Sequence, residues 1–313
     1  MAINYDISYI NSEFSRDAAG FIAACEREFH DRVTEAALNA KAAGARIVML
    51  AGPSSSGKTT TASIIDETLE REGGRAYVVS LDDFYLNRGE GPKLPDGSDD
   101  YESVWALDVP LIGDSLSRLI RNGRAALPLF DFTTGTRRAE RMQIRLKKND
   151  MLIIEGLHAL NPVITDGLPP EDLALLYISV SSRIVAENNI YLNKRDLRFV
   201  RRMIRDYRFR ASSPEHTFRL WRNVLTGEDM YLFPYEDRAQ FRINSLHPYE
   251  PCVFAPKAIS LLQTVPEGSP FRKNALLLAE KLSGFARADS AVVPENSLLQ
   301  EFLGEAARPA PNA

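Results

Sequence analysis

Residues 52–59 form a glycine-rich segment whose residue types and spacing suit it to holding phosphate groups. The segment reads Gly-Pro-Ser-Ser-Ser-Gly-Lys-Thr and matches the pattern G-x-x-x-x-G-K-[ST]. Its glycines let backbone N–H groups point inwards, Lys58 would reach the β and γ phosphates of a nucleotide, and the Thr59 hydroxyl would ligate magnesium. A chance match in a Gly/Ser loop is the alternative interpretation. The residues assigned to nucleotide binding are Gly52, Ser54, Ser55, Ser56, Gly57, Lys58, Thr59 and Thr60, and Lys58 is also assigned to catalysis.

Two carboxylates follow predicted strands, where they could act on bound phosphates. Asp82 comes directly after the apolar run 76–80, and it could accept a proton from an attacking hydroxyl or hold a metal ion. An ordinary Asx turn is the structural alternative for this aspartate. Glu155 ends the apolar run 151–155, in the position of a Walker B carboxylate that reaches magnesium directly or through water. Together with the phosphate-binding segment, the two carboxylates indicate phosphoryl transfer.

Residues 193–210 are rich in arginine and have the spacing of an amphipathic helix. Four arginines recur at i, i+3, i+4 and i+7 and therefore form one stripe. Arginine with almost no lysine favours bidentate phosphate contacts. Three interpretations remain open: a lid that closes over the transferring phosphate, a solvated or salt-bridged face with Asp196 and Asp206, or a nucleic-acid surface. The arginines of the stripe are Arg198, Arg201, Arg202 and Arg205.

These polar motifs lie within a pattern of alternating strands and helices. Short apolar runs rich in β-branched residues predict buried strands, and helical periodicity predicts the segments between them. A helix from Ser12 to about Ala43, with Ser12 as N-cap, is predicted ahead of the first strand. The order of elements predicts an α/β fold with a parallel sheet, in which ligands bind at the carboxyl ends of strands. The predicted strands are residues 47–51, 76–80, 151–155, 174–180 and 239–244.

Length and composition are those of a soluble globular chain with one large or two ordinary domains. The 313 residues are 44% hydrophobic and 26% charged, and the formal net charge of −4 argues against a surface devoted to nucleic acid or anionic membrane. Only two cysteines occur, which argues against a disulfide framework and fits a reducing compartment. The N-terminus lacks a secretory pattern, and no apolar run approaches the length needed to cross a bilayer. We therefore expect a cytoplasmic protein without a membrane partner.

The ordered motifs resemble those of the uridine kinase and phosphoribulokinase family over roughly residues 46–258. Residues 233–235 and 296–304 look more like the subfamily of uridine kinase homologues in which a threonyl-tRNA-synthetase-like region precedes the kinase; here only a helical extension is expected before it. The other matching segments are residues 52–59 with the family's phosphate-binding loop, 80–85 with its S-Q-D-x-[FY]-Y, 129–132 with its V-Y-D-F, 150–156 with its D-V-V-x-x-E-G and 201–206 with its R-R-x-x-R-D lid.

This resemblance implies a P-loop NTPase fold of the nucleoside/nucleotide kinase type, with three α/β/α layers, a parallel sheet and an arginine-rich helical lid. It implies transfer of the γ-phosphoryl group of ATP or GTP, with Mg²⁺, to the 5′-hydroxyl of a uridine- or cytidine-like nucleoside. By matching position, Asp82 is implied as general base, and Asp82, Thr59 and Glu155 surround the metal. Arg205 and Arg210 are implied as lid contacts to donor phosphates. The residues implied at the acceptor are Asp82, Tyr85, Glu102, Phe130, Arg137 and Arg202.

The expected organisation is a helical extension at 1–45, a kinase domain at 46–303 with its lid at about 183–230, and a disordered tail at 304–313. The expected partner is a small-molecule acceptor, a homo-oligomer is compatible with the sequence, and nucleic acid is not expected.

The expected acceptor pocket departs from that of uridine-cytidine kinases. Phe130 replaces a tyrosine, and residues 133–136 lack the histidine that reads the pyrimidine edge there. Hydrogen-bond readout supplies large discrimination between substrates, so this departure leaves the acceptor open. A kinase of another small alcohol, such as a sugar, a sugar phosphate or a pantothenate-like acid, is the first alternative. A nucleotide-regulated nucleic-acid-binding protein is the second.

Overall fold

The computed structural model describes residues 3–94 and 96–304. Within these ranges the strands are β1 (Asn4–Asp6), β2 (Ile47–Ala51), β3 (Ala76–Ser80), β4 (Arg124–Leu127), β5 (Phe130–Asp131), β6 (Thr136–Arg137), β7 (Met142–Arg145), β8 (Met151–Gly156), β9 (Leu173–Ser179), β10 (Arg183–Ala186), β11 (Asn189–Leu192) and β12 (Phe241–Asn244). The α-helices are α1 (Ile7–Arg16), α2 (Ala18–Ala42), α3 (Lys58–Arg71), α4 (Val109–Asn122), α5 (Pro162–Thr165), α6 (Lys194–Arg210), α7 (Pro214–Tyr231), α8 (Glu250–Gln263), α9 (Arg272–Ser283) and α10 (Gln300–Leu303).

The main sheet is parallel, and its strands follow the order β12-β9-β2-β8-β3 among the described residues. The run Ile47–Ala51 forms the central strand and is fully buried, which explains why its sequence is continuously apolar and does not alternate. Strands β8 and β9 flank it on either side. The carboxyl ends of β2, β3 and β8 therefore meet at one edge of the sheet.

Helices cover both faces of this sheet, because successive side chains of a strand point to opposite faces. On β2, Val48 and Leu50 join a core that includes residues of α2, α3, α6 and α8. Ile47 and Met49 face the other way and pack in a second core with residues of α4 and α5. The prediction of an α/β fold with a parallel sheet between helical layers is confirmed.

The N-terminal helix prediction is wrong in its details. The chain forms two helices, α1 and α2, and Ser12 lies inside α1 instead of capping a helix. The caps are aspartates: Asp6 accepts a hydrogen bond from Ser8 N, and Asp17 accepts one from Gly20 N. The extended φ of −156° at Asp17 interrupts the helical path between them. Helical periodicity continues across this break, and for that reason the pattern alone suggested one helix.

The predicted N-terminal extension also contains a strand that the sequence pattern did not indicate. β1 pairs in parallel with β10, and β10 pairs with β11, so the N-terminus adds an edge strand to a small three-stranded sheet. The last strand of this sheet, β11, leads directly into the arginine-rich helix α6. Phe29 and Val33 of α2 belong to the same buried core as α3 and β2. The N-terminal segment therefore packs as part of the main body.

No helix in the described ranges is long and apolar enough to cross a membrane. The predicted tail overlaps the described residues only at Gly304, and its remainder, residues 305–313, lies outside them.

Candidate active site

The phosphate-binding loop (residues 52–59) joins the end of β2 to the start of α3 and has a constrained backbone. Gly57 adopts a φ of +94° and serves as the N-cap of α3, a conformation that glycine tolerates best. A Cβ at Gly52 would lie 2.4 Å from the carbonyl oxygen of Ile178, so the loop passes too close to β9 for any larger residue. The Lys58 ammonium donates a hydrogen bond to the Gly52 carbonyl over 3.1 Å and spans the loop.

Two hydroxyl groups inside this loop suggest an anionic ligand. The Oγ atoms of Ser55 and Ser56 are buried and have no hydrogen-bond partner among the described residues. Ser55 also has a φ of +60°, a conformation that costs free energy for a residue with a Cβ. Buried polar groups normally find partners, and a phosphate offers several acceptor oxygens. These residues therefore fit the triphosphate predicted from the sequence.

Strand register brings the predicted carboxylates beside this loop. Glu155 on β8 lies opposite Leu50 of β2 on one side and opposite Ser80 of β3 on the other. The phosphate-binding loop begins two residues after Leu50. Asp82 likewise comes two residues after Ser80, in a short 3₁₀ turn. The Ser80 hydroxyl accepts a hydrogen bond from Asp82 N and fixes that turn.

The environment of Asp82 shifts its pKa upward. The surrounding protein desolvates the carboxyl group and raises its pKa to about 6; the negative charge of Glu155 adds to this shift, while the Lys58 ammonium opposes it. The residue is nevertheless accessible to solvent. A carboxylate with this pKa and this access can take a proton from a hydroxyl at neutral pH.

The acidic and hydroxyl side chains here fit magnesium only in combination with a substrate. Within residues 3–94 and 96–304, no group of three or more His, Cys, Asp or Glu residues is arranged to hold a metal ion alone. Magnesium prefers oxygen ligands and commonly binds through one or two carboxylates, waters and substrate phosphates. Thr59 at the start of α3, with Glu155 and Asp82, offers oxygen atoms of that kind.

An aromatic cluster begins three residues after Asp82, at Tyr85. The ring centroid of Tyr85 lies 5.7 Å from that of Phe130 and 5.9 Å from that of Tyr101, and Phe130 lies 5.2 Å from Phe132. Phe132 is 62% exposed, so the cluster has an open apolar face. The negative charge of Asp82 contributes to raising the pKa of Tyr85, after the larger effect of burial.

Glu102 adds a second carboxylate with a raised pKa. Burial raises its pKa to about 7; Glu228 and Asp82 also raise it, whereas Arg202 lowers it. A Cβ at Gly227 would lie 2.8 Å from Glu102 Oε2, so the glutamate packs directly against α7. The structure therefore brings Glu102 into the same electrostatic cluster as Asp82, and acceptor contact by Glu102 remains a prediction.

Arg137 is engaged by the protein itself. Its guanidinium donates hydrogen bonds to the carbonyl oxygens of Phe84 and Tyr85 and, over 2.9 Å, to Asp108 Oδ2. These bonds tie β6 to the segment after Asp82 and hold the aromatic cluster in place. Acceptor contact by Arg137 remains a prediction, but positioning this segment is the role that its contacts show.

The arginine stripe on α6 divides into two pairs with different surroundings. Arg198 and Arg201 are buried and form ion pairs with Glu228 and Glu250. Arg198 makes a bidentate contact, at 2.6 and 2.7 Å, and also donates to the carbonyl of Ser54. For these two arginines the contacts agree with the salt-bridged interpretation, with Glu228 and Glu250 as the partners.

The other arginines share one carboxylate. Arg202, Arg205 and Arg210 all lie within 3.4 Å of Asp206, a residue that the salt-bridge interpretation singled out. Arg202 also donates to the Ser54 hydroxyl over 2.8 Å, which places it at the phosphate-binding loop. The predicted phosphate contacts of Arg205 and Arg210 remain predictions.

The sequence patterns did not indicate two buried glutamates, Glu228 and Glu250, that hold the backbone of the phosphate-binding loop directly or through an arginine. Glu228 accepts a hydrogen bond from Ser54 N over 2.9 Å while it pairs with Arg198. Arg201 bridges Glu250 to the carbonyl of Ser55. Glu228 follows Gly227, but no motif marks it in the sequence.

A third missed glutamate lies at the opposite end of the loop. Glu301 accepts hydrogen bonds from both the backbone N and the hydroxyl of Thr60, at 2.7 and 2.6 Å. Thr60 was predicted to bind phosphate, and its donors are engaged here by the protein. Glu301 does fall in the segment 296–304 that the sequence analysis singled out, so a signal for it existed.

Known proteins resemble this chain over its central part. A "Uridine kinase" from Lactobacillus helveticus is 29% identical over 168 residues, which cover 53% of this chain and 70% of that protein. Another from Staphylococcus haemolyticus is 29% identical over 185 residues, covering 58% and 79%. Among solved structures, a possible uridine kinase from Bacillus stearothermophilus aligns with a TM-score of 0.40 at 24% identity, over 48% of this chain and 80% of that one.

The match to a family model is broader. Residues 47–249, well over half of the chain, match the model of the Phosphoribulokinase / Uridine kinase family. This match spans the phosphate-binding loop, Asp82, Glu155 and the arginine-rich helix α6, which are the features that the structure brings together. The chain therefore belongs to the phosphoribulokinase / uridine kinase family and is a phosphotransferase with an alcohol group as acceptor.

Proposed function

We propose that this protein transfers the γ-phosphoryl group of ATP or GTP, with Mg²⁺, to the 5′-hydroxyl of a uridine- or cytidine-like nucleoside. One observation carries the proposal: Asp82, Glu155 and Lys58 lie together at the carboxyl ends of β2, β3 and β8, where the charges of Glu155 and Lys58 both act on the Asp82 carboxyl group. Asp82 takes the proton of the attacking hydroxyl, Lys58 neutralises developing charge on the donor phosphates, and Arg205 and Arg210 on α6 exclude water at the transferring group. Glu155 and Thr59 would hold magnesium, which offsets phosphate charge.

The character of the acceptor pocket supports an uncharged, partly aromatic acceptor. Asp82 and Glu102 bring two carboxyl groups with raised pKa values to one region, and the charge of Asp82 helps to raise the pKa of Glu102. A phosphate or carboxylate on the acceptor would add repulsion to this cluster, which disfavours a sugar phosphate or a pantothenate-like acid. The exposed face of Phe132 and the neighbouring Tyr85 offer stacking surface for a base.

The direct test is product formation from a panel of acceptors. The protein is incubated with ATP and magnesium against uridine, cytidine, purine nucleosides, free sugars, a sugar phosphate and pantothenate, and products are identified by mass. We expect nucleoside 5′-monophosphates and no product from the anionic acceptors. Phosphorylation of a free sugar but of no nucleoside would contradict the nucleoside assignment while retaining the kinase. Salt-dependent RNA or DNA binding with no product from any acceptor would contradict the kinase proposal itself.

A variant connects the product to the pocket. Phe132→Ala removes exposed stacking surface without touching Asp82 or the phosphate-binding loop. For a nucleoside acceptor we expect its KM to rise about tenfold with little change in kcat, since stacking on one aromatic ring contributes roughly 1–3 kcal/mol. Leu276→Ala on α9, also an exposed apolar residue, is the matched control and should leave KM unchanged.

A further inference from the structure

The C-terminal segment (residues 296–304) packs against the phosphate-binding loop. Leu298, Leu299 and Phe302 in this segment are fully buried. Leu298 lies directly on Gly57, since a Cβ at that glycine would come within 2.1 Å of Leu298 Cδ1. The segment therefore forms one wall of the loop where α3 begins.

From this wall, Glu301 reaches the first turn of α3. Its Oε1 atom accepts hydrogen bonds from Thr60 N at 2.7 Å and from Thr60 Oγ1 at 2.6 Å. Thr60 is the third residue of α3, and the first backbone bond back to Gly57 is made only by Thr61 N. The Thr60 N–H is thus one of the donors that a helix leaves without an internal partner.

Such donors at the start of α3 are the groups with which phosphate-binding loops hold a nucleotide. In this structure the Glu301 carboxylate already occupies one of them, the Thr60 N–H, together with the Thr60 hydroxyl, and a carboxylate and a phosphate are both anionic acceptors. One N–H cannot donate fully to both, and the two negative charges would repel each other at this distance. A nucleotide phosphate that uses Thr60 must therefore displace Glu301.

We propose that Glu301 is an intramolecular competitor of the donor nucleotide, and that the C-terminal segment thereby limits access to the donor site. The proposal rests on the function proposed above, because it takes residues 52–60 as the donor site. It gives the C-terminal segment, which lies beyond the residues matched by the family model, a role in regulating the enzyme.

The contacts of the segment show which part has to move. Phe302 packs at 5.4 Å from the guanidinium of buried Arg201 and at 6.1 Å from the ring of Phe254. Gln300 donates to the carbonyl oxygens of Val293 and Pro294. These contacts anchor the backbone, so a rotation of the Glu301 side chain suffices to free Thr60.

The test measures binding of a non-hydrolysable ATP analogue with magnesium by calorimetry. Glu301→Ala should lower the dissociation constant of the analogue about tenfold, because the nucleotide no longer has to break a charge-assisted hydrogen bond between Thr60 and Glu301. Glu301→Gln removes the charge but keeps an acceptor oxygen, and a smaller decrease of about threefold is expected. Glu280→Ala, which removes an exposed carboxylate from α9, is the control and should leave affinity unchanged. Unchanged or weaker binding by folded Glu301 variants would overturn the proposal.

Binding of the same analogue by Lys58→Ala separates this inference from the proposed function. Lys58→Ala should abolish binding of the analogue; if it does so while the Glu301 variants bind like wild type, the donor site stands and only the competition is refuted. Absence of binding by all proteins, wild type included, overturns both. If Glu301→Ala does not fold, Glu301→Gln decides the question, since it preserves the size of the side chain.

Discussion

Replacing Glu102 with glutamine should stabilise the ligand-free protein at pH 8 and weaken acceptor binding at the same time. The pKa of this carboxyl is raised from 4.5 to about 7, chiefly by burial and then by the charge of Glu228. The folded protein therefore holds the Glu102 proton more tightly than the unfolded chain does. As pH rises from about 4.5 to 7, the free energy of unfolding falls, and above pH 7 the ionised glutamate imposes its full cost.

The size of that cost follows from the shift. A displacement of roughly 2.5 pH units corresponds to about 3 kcal/mol at 1.36 kcal/mol per unit. Glu102 keeps some contact with the solvent of the cleft, which screens its charge, and we therefore expect Glu102→Gln to gain about 2 kcal/mol at pH 8. Below pH 4.5 the gain should vanish, because the carboxyl is then neutral in both states.

Urea unfolding of the metal-free protein at pH 4.5 and pH 8 measures this difference, with Glu280→Gln as a control that removes the same charge at an exposed position on α9. The expected result is a pH-dependent gain for Glu102→Gln alone, accompanied by a higher KM for the acceptor. A variant no more stable than wild type at pH 8, or one equally stabilised at both pH values, would refute the reasoning.

Three further predictions concern other parts of the site. Lys58→Ala should abolish phosphoryl transfer and leave the circular dichroism spectrum native; retained turnover would exclude residues 52–59 as the donor site. Arg201→Ala should lower the free energy of unfolding by about 3–5 kcal/mol, because it leaves Glu250 buried without its cation. The control Arg195→Ala removes an exposed arginine of the same helix, paired with Asp229, and should lower the free energy of unfolding by less than about 1 kcal/mol. Since desolvation by the surrounding protein raises the pKa of Asp82 to about 6, turnover should fall as pH drops through about 6. A profile that is flat from pH 5 to 8 would contradict Asp82 as the base.

Local sequence signals predicted the parts of the site that depend on neighbours in the chain. The runs at β2 and β3 were predicted to the residue. β2 is buried throughout, which demands a continuously apolar sequence, whereas β3 is fully buried only at Ala76 and Val79. Strand ends then placed Asp82 and Glu155 at one edge, since parallel strands align their carboxyl ends. The loop motif likewise depends on local conformation, as the positive φ of Gly57 shows.

Contacts distant in sequence were beyond that reasoning. The partner of Arg198 lies 30 positions away, that of Arg201 lies 49 away, and the carboxylate on Thr60 comes from 241 residues further along. Helical spacing shows that arginines share a face, but it does not show whether that face meets solvent or a buried glutamate. Which side chains of α6 are buried depends on contacts with α7 and α8, and the sequence pattern within residues 193–210 cannot indicate those contacts.

The central claim is tested most directly by comparing acceptor-dependent phosphoryl transfer in wild type and Asp82→Asn. Turnover is measured with ATP, magnesium and the preferred nucleoside, and the affinity of each protein for a non-hydrolysable ATP analogue is measured alongside. We predict a loss of turnover on the order of 10² to 10⁴ with nucleotide affinity unchanged, because only proton removal from the acceptor is affected. Wild-type turnover in Asp82→Asn would contradict the assignment of Asp82 as general base, and with it this account of the site.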